Sequence, residues 1–138
     1  MTSKVLASGK FDLIHPGHIY YLARSKELAE GGELWVVITH EDNIENNLFS
    51  NRERKEMVEA MEAVDRVIVG ESEVDYVGTI KIVDPDVIAL GHDQDRESVE
   101  NALRTLGKKI RIERIDSRKP KKYSSSDLRR LLREKIGQ

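Results

Sequence analysis

Five short runs rich in valine, isoleucine and leucine alternate along this chain with stretches of helical spacing, and that alternation limits the fold more than any other feature. The runs are Lys4–Ser8, Glu33–Thr39, Arg66–Val69, Asp86–Leu90 and Ile110–Ile115. The first four are mostly apolar at odd and even positions alike, as in strands covered on both faces of a parallel sheet. Helical spacing marks His18–Glu30, stopped by Gly31-Gly32, and Arg52–Val64, with Ser50 or Asn51 available as its cap. Two further helices are expected over Val74–Val83, halted before Asp84-Pro85, and Arg96–Leu106, ended by Gly107. Ser126–Lys135 would close the chain. The order βαβαβαβαβα predicts an α/β fold: a Rossmann-like doubly wound five-stranded parallel sheet with helices on both faces.

At 138 residues the chain fits one domain, 1–138, since a typical domain runs to roughly 100–200 residues. It has no cysteine, so disulfides, thiolate metal sites and cysteine nucleophiles are excluded. The longest strongly apolar run, Leu34–Ile38, falls far short of the roughly 20 residues that span a bilayer. The first eight residues lack the basic and long apolar regions of a signal peptide, so a cytoplasmic location is expected.

In open α/β sheets ligands bind at the carboxyl ends of the strands, near the switch in strand order. All four histidines fall on that edge: His15 and His18 after the first strand, His40 after the second, His92 after the fourth. This distribution predicts a shared site. The most specific segment is Gly9-Lys-Phe-Asp-Leu-Ile-His-Pro-Gly-His18. Pro16 suits the first turn of a helix, and the N–H groups of Gly17 and His18 would then face the crevice as an anion site. The spacing of three sets both imidazoles on one side of that turn. Neither GxGxxG nor GxxxxGK[ST] occurs. A helix start capped by histidines, and a zinc site on His15, His18 and His92, are the alternatives for this segment.

Ser124-Ser125-Ser126 opens the last helix, where its N–H groups and hydroxyls could hold phosphates; Ser124-x-x-Asp127 also matches a capping box. Asp12 either orients the histidine turn or caps it. Trp35, Met57 and Met61 read as core. Of Tyr20 and Tyr21, one should be buried and the other could flank an acceptor ring.

His-Pro-Gly-His after a strand, preceded by Gly-x-Phe-Asp, resembles the HxGH signature of the cytidylyltransferase-like nucleotidyltransferases. The resemblance covers nearly the whole chain: Asn51–Gly70 is similar to the family's second helix and third strand, and Asp84–Gln94 to its fourth strand and nucleotide-contacting end. Within the family, Leu-Gly-x-Asp-Gln and Tyr123-Ser-Ser-Ser126 most resemble the archaeal FAD synthases, which transfer AMP from ATP to FMN. The resemblance implies that His15 and His18 are catalytic, touching the nucleotide's phosphates and stabilising charge as the α-phosphorus is attacked. It implies that Lys10 and Phe11 line the nucleotide, that His15, Pro16, Gly17 and His18 form a phosphate turn, that Asp93 meets the base or ribose, and that Tyr123 closes over the nucleotide. A divalent cation, magnesium, would bridge the triphosphate. Lys10 stands where the family commonly has threonine or serine, so it would reach a phosphate and join the catalytic group. Asn43–Ser50 lacks the lysine that many members carry. Tyr-Ser-Ser-Ser replaces the Arg-Thr-x-Gly-Ile-Ser-Thr-Thr stretch of the glycerol-phosphate cytidylyltransferases. Rival readings are a cytidylyltransferase for a small alcohol phosphate, an adenylyltransferase for a sugar phosphate or pantetheine phosphate, and a nucleotide-binding module without turnover.

The net charge of −2 conceals a polarity. Residues 104–138 hold 13 basic and 4 acidic residues, a balance of +9, while residues 1–103 hold 10 and 21, a balance of −11. The basic quarter lacks aromatic interleaving beyond Tyr123, so its expected partners are a nucleoside triphosphate and an anionic acceptor, with no nucleic acid and no membrane. A homodimer would suit so small a member of the family, though composition does not decide it.

Overall fold

The computed structural model describes residues 2–116. Five parallel strands, β1 (Val5–Gly9), β2 (Leu34–Ile38), β3 (Arg66–Val69), β4 (Val87–Leu90) and β5 (Arg111–Arg114), form one sheet in the order β3-β2-β1-β4-β5. Each strand lies within a residue of its expected bounds. The pleat sends Val5 and Ala7 to one face and Leu6 to the other. The first face packs beneath α1 (Pro16–Leu28) and α2 (Asn51–Glu59); the second packs beneath α3 (Tyr76–Val83) and α4 (Arg96–Leu106). The chain therefore winds outward from β1 to β3, returns across the sheet, and winds from β4 to β5 on the opposite face. Each buried aliphatic side chain contributes about 1.5–3 kcal/mol, which drives the two-sided cover. Among the described residues no helix is long and apolar enough to cross a membrane. The helix expected over Ser126–Lys135 lies outside the described residues.

Helix α1 begins at Pro16, two residues before the start its apolar spacing predicts, because His15 is its cap. Helix α2 stops at Glu59 instead of running to Val64. Tight turns replace its last stretch, with Met61 N–H donating to Val58 O and Val64 N–H to Met61 O, each at 3.1 Å. Those turns lower Val64 into the core without a continuing helix. The buried face of α2 is Arg54 and Val58, whereas Met57 is half-buried and Ala60 exposed. Met61, read as core from the sequence, does pack against the core, while Met57 lies at the edge of the buried face. Trp35 is half-buried too, with Lys4 Nζ and Arg66 Cζ at 5.0 and 5.3 Å from its ring. Helix α4 matches its expected span and ends on Gly107 at φ 65°, a left-handed conformation that glycine adopts without steric cost.

Strands β1 and β4 pair only through Val5–Val87 and Leu6–Ile88. Beyond that point the ladder is replaced by side chains. The Tyr21 hydroxyl accepts from Ser8 N–H at 3.2 Å and donates to Ala89 O at 2.6 Å. Burial holds the phenol well above its usual range, with the Ser8 bond opposing the shift and the Asp93 charge adding to it. Tyr21→Phe should leave both backbone groups unpaired and cost about 1–3 kcal/mol. Urea denaturation measures it, and an unchanged midpoint would show that the hydroxyl does not join the strands.

Candidate active site

The gap between β1 and β4 is the switch in strand order, and several residues singled out in the sequence surround it. Gln94 spans it beside Tyr21: its Oε1 accepts from Gly91 N–H at 2.9 Å, and its Nε2 donates to Ser8 O at 3.0 Å and to Ser8 Oγ at 3.2 Å. Arg114, at the end of β5, gathers the turn after β4, its Nη1 donating to the carbonyls of Gly91, His92 and Gln94 at 2.8, 3.3 and 2.9 Å. Asp93 stands exposed on that turn.

His15 and His18 come together as a reciprocal cap. Gly17 N–H donates to His15 Nδ1 at 3.1 Å, and His15 N–H donates to His18 Nδ1 at 3.2 Å. The rings stack with centroids 3.9 Å apart at 31°. A ring nitrogen that accepts carries no proton, so the bonding assigns both imidazoles as neutral with the proton on Nε2. This revises the expected anion site. Gly17 N–H is spent on His15, and His18 N–H donates to His15 O at 2.9 Å. The donors that the turn offers are two imidazole Nε2–H groups. Burial lowers the pKa of His15, and it brings His18 down to about 4, with the His15 charge adding to the shift and Asp93 opposing it. The positive end of α1 favours neutral rings for the same electrostatic reason.

The other two histidines do not join them. His40 Nδ1 caps a short 3-10 turn, Glu41–Asn43, by accepting from Asp42 N–H at 3.0 Å. His92 is exposed and contributes its carbonyl to Arg114. Among the described residues no three histidine, aspartate or glutamate side chains converge as a metal site.

Phe11 is 1% exposed and packs its ring 5.2 Å from that of His18. It supports the histidine turn from behind, so only its backbone could line a nucleotide. Its φ of 49° is left-handed, and a Cβ on Gly9 would meet its ring at 2.8 Å, so the strand exit admits only glycine there. Lys10, between them, is exposed. Asp12 is buried and receives Leu48 N–H at 2.8 Å and Phe49 N–H at 2.9 Å, so it ties the turn to the asparagine-rich loop. Arg54, with no exposed surface, donates to Lys10 O at 2.8 Å, Phe49 O at 3.3 Å and Asn51 Oδ1 at 2.6 Å. Arg114 and Arg54 escaped the sequence reading, and Gln94 entered it only as the last residue of the Leu-Gly-x-Asp-Gln segment. Arg54 and Val58 are four residues apart, the one signal that the arginine shares the buried face of α2. Tyr123, Ser124, Ser125 and Ser126 lie outside the described residues.

The cap makes a titration prediction. An unfolded imidazole binds its proton at 6.5, whereas folded His18 waits until about 4. Between these values the unfolded state holds more protons, so stability is full above 6.5 and is lost as pH falls toward 4. Long-range 1H–15N spectra at neutral pH should show both rings as Nε2–H tautomers, with His18 titrating near 4. A midpoint at 6.5, or an Nδ1–H tautomer, would mean that the reciprocal cap does not form.

A family model described as cytidylyltransferase-like matches residues 6–131. An FAD synthase of Methanosarcina mazei is 40% identical over 120 residues, which span 83% of this chain and 78% of that protein. One from Natrialba magadii is 36% identical over 137 residues, 96% and 90% of the two chains. Among solved structures, a lipopolysaccharide core biosynthesis protein of Thermoplasma volcanium aligns with a TM-score of 0.77 at 34% identity, covering 86% of this chain and 100% of that one. Thermotoga maritima TmcAL shares the fold, with a TM-score of 0.71 at 16% identity over 99% of this chain and 51% of its own. Similarity of this extent, on a sheet whose switch point carries the HxGH turn, leaves one assignment: the chain belongs to the cytidylyltransferase-like family.

Proposed function

We propose that the chain is an FAD synthase, an FMN adenylyltransferase that uses ATP. The observation that carries this reading is the stacked pair of neutral imidazoles at the N-terminus of α1, in a chain 36–40% identical to FAD synthases over most of its length. A terminal oxygen of the FMN phosphate attacks the α-phosphorus of ATP, the bond from that phosphorus to the bridging oxygen breaks, and pyrophosphate leaves. Such transfer needs positioning and charge neutralisation more than covalent help. His15 and His18 supply Nε2–H donors to the phosphate oxygens without adding a proton to them. Pro16 and Gly17 shape that turn, and the Lys10 ammonium meets a phosphate. Asp93 faces the base or ribose. Tyr123 covers the nucleotide, and Ser124, Ser125 and Ser126 hold its outer phosphates.

Magnesium enters with ATP as part of the substrate. This suits an ion that is commonly held by substrate phosphates and one or two carboxylates in place of a protein cage. The reading places the enzyme in the cytoplasm with ATP and FMN as its partners, requires neither nucleic acid nor membrane, and accommodates a homodimer.

Incubation with magnesium, ATP and FMN should yield FAD and pyrophosphate. Product formed only from CTP and an alcohol phosphate would sink the reading. His15→Ala and His18→Ala should each lower kcat by about 10²–10³, the cost of a lost transition-state donor, while each lost cap costs about 1 kcal/mol of stability. Turnover matching the unaltered protein in either variant would confine the pair to capping.

A further inference from the structure

Between each of the first four strands and the helix that follows, the chain turns through the edge where ligands bind. Those turns carry nine carboxylates: Asp12, Glu41, Asp42, Glu45, Glu71, Glu73, Asp75, Asp93 and Asp95. They contain one lysine or arginine, Lys10. Within these four turns Lys10 is therefore the one cation that a phosphate approaching the acidic rim can meet, on a long flexible side chain whose reach depends on where its backbone is held. That backbone is unusual on both sides. Gly9 cannot take a Cβ because of the Phe11 ring, and Phe11 itself is left-handed.

Arg54 holds this kink. Its guanidinium is wholly buried, and its nitrogens go to Lys10 O, Phe49 O and Asn51 Oδ1. Among the described residues no carboxylate lies within ion-pair distance of it. Counter-charge reaches it only indirectly: the Glu41 carboxylate, which accepts from Asn51 N–H, acts on it through space, and Asp12 binds Phe49 N–H while Arg54 binds Phe49 O. A buried charge without a contacting partner is costly, and a well-packed apolar side chain of similar volume often serves stability as well or better. Packing alone therefore does not account for an arginine here. The three acceptors do: they join the exit of β1, the end of the asparagine-rich loop and the start of α2 into one body.

We propose that Arg54 is a positioning residue for phosphate binding, acting through Lys10, whose ammonium it aims into the crevice by fixing the Lys10 carbonyl. The role rests on the reading of Lys10 as a phosphate contact and extends it to a residue that never meets substrate.

A double-mutant cycle separates positioning from packing. FAD formation is measured for the unaltered protein, Lys10→Met, Arg54→Met and the double variant, with kcat and KM for ATP and for FMN, and with urea midpoints for all four. Arg54→Met should lower kcat/KM by up to about 100-fold, the scale of a misplacement near 1 Å, and should do almost nothing further once Lys10 is methionine. Its effect on the urea midpoint should be the same in both backgrounds. An equal loss of kcat/KM in both backgrounds would overturn the proposal and leave Arg54 structural. So would Lys10→Met with unchanged kinetics, a different pattern that removes Lys10 itself. Should Arg54→Met fail to fold, Arg54→Lys serves in its place, since one ammonium keeps the charge but cannot span three acceptors. If the unaltered protein makes no FAD, the adenylyltransferase reading has failed. The same cycle is then read from calorimetric titration with ATP and with FMN, where additive losses overturn the role of Arg54 and non-additive losses support it.

Discussion

Strands β1 and β4 must part company where the winding of the sheet reverses, and every backbone group that loses its ladder partner there needs another. Ser8 N–H and Ala89 O find the Tyr21 hydroxyl; Ser8 O and Gly91 N–H find the Gln94 amide. An unpaired buried peptide group costs free energy comparable to a lost hydrogen bond, so the two side chains are what allow an opening at this position. Tyr21 comes from α1 and Gln94 from the turn after β4. The same two contacts therefore set the histidine turn and the Asp93 turn at fixed positions across one crevice. Arg114 completes the frame by holding three carbonyls of the second turn.

The histidine pair shows how capping and chemistry share one arrangement. Each Nδ1 is consumed by a backbone N–H, and that bond dictates the tautomer, which leaves Nε2–H as the donor. Stacking at 3.9 Å makes a second positive charge unwelcome, and burial against Phe11 acts in the same direction. The result is a pair of neutral donors at the positive end of a helix, suited to phosphate oxygens that gain charge during transfer. Arg54 and Asp12 anchor the turn that leads into this pair by binding the backbone N–H and C=O of Phe49 and the chain between Lys10 and Asp12.

Charge is distributed to match. The strand-exit turns are acidic apart from Lys10, while the positive balance is concentrated in residues 104–138. A near-neutral total thus says little about partners, because opposing fields on different parts of one chain act locally within about a Debye length of 10 Å.

Much was legible from the amino-acid order alone. Short runs apolar at both alternating positions dictated a parallel sheet with two covered faces, and the strand bounds follow to within a residue. Gly9, Pro16 and the spacing of His15 and His18 marked the strand exit and helix start, since backbone conformation and helical period are local properties. What the order could not disclose were contacts made across distance. Arg54 reads as one more surface charge on a helix until its acceptors arrive from residues 10 and 49, and Phe11 reads as a nucleotide contact until the fold seals it behind His18. Gln94 and Arg114 gain their roles only because β4 and β5 lie beside β1 in space. The four histidines divide into a pair and two bystanders for the same reason. Local sequence sets conformation within a turn or a helix, but which donor meets which acceptor between strand ends is decided when the sheet assembles and desolvates them together.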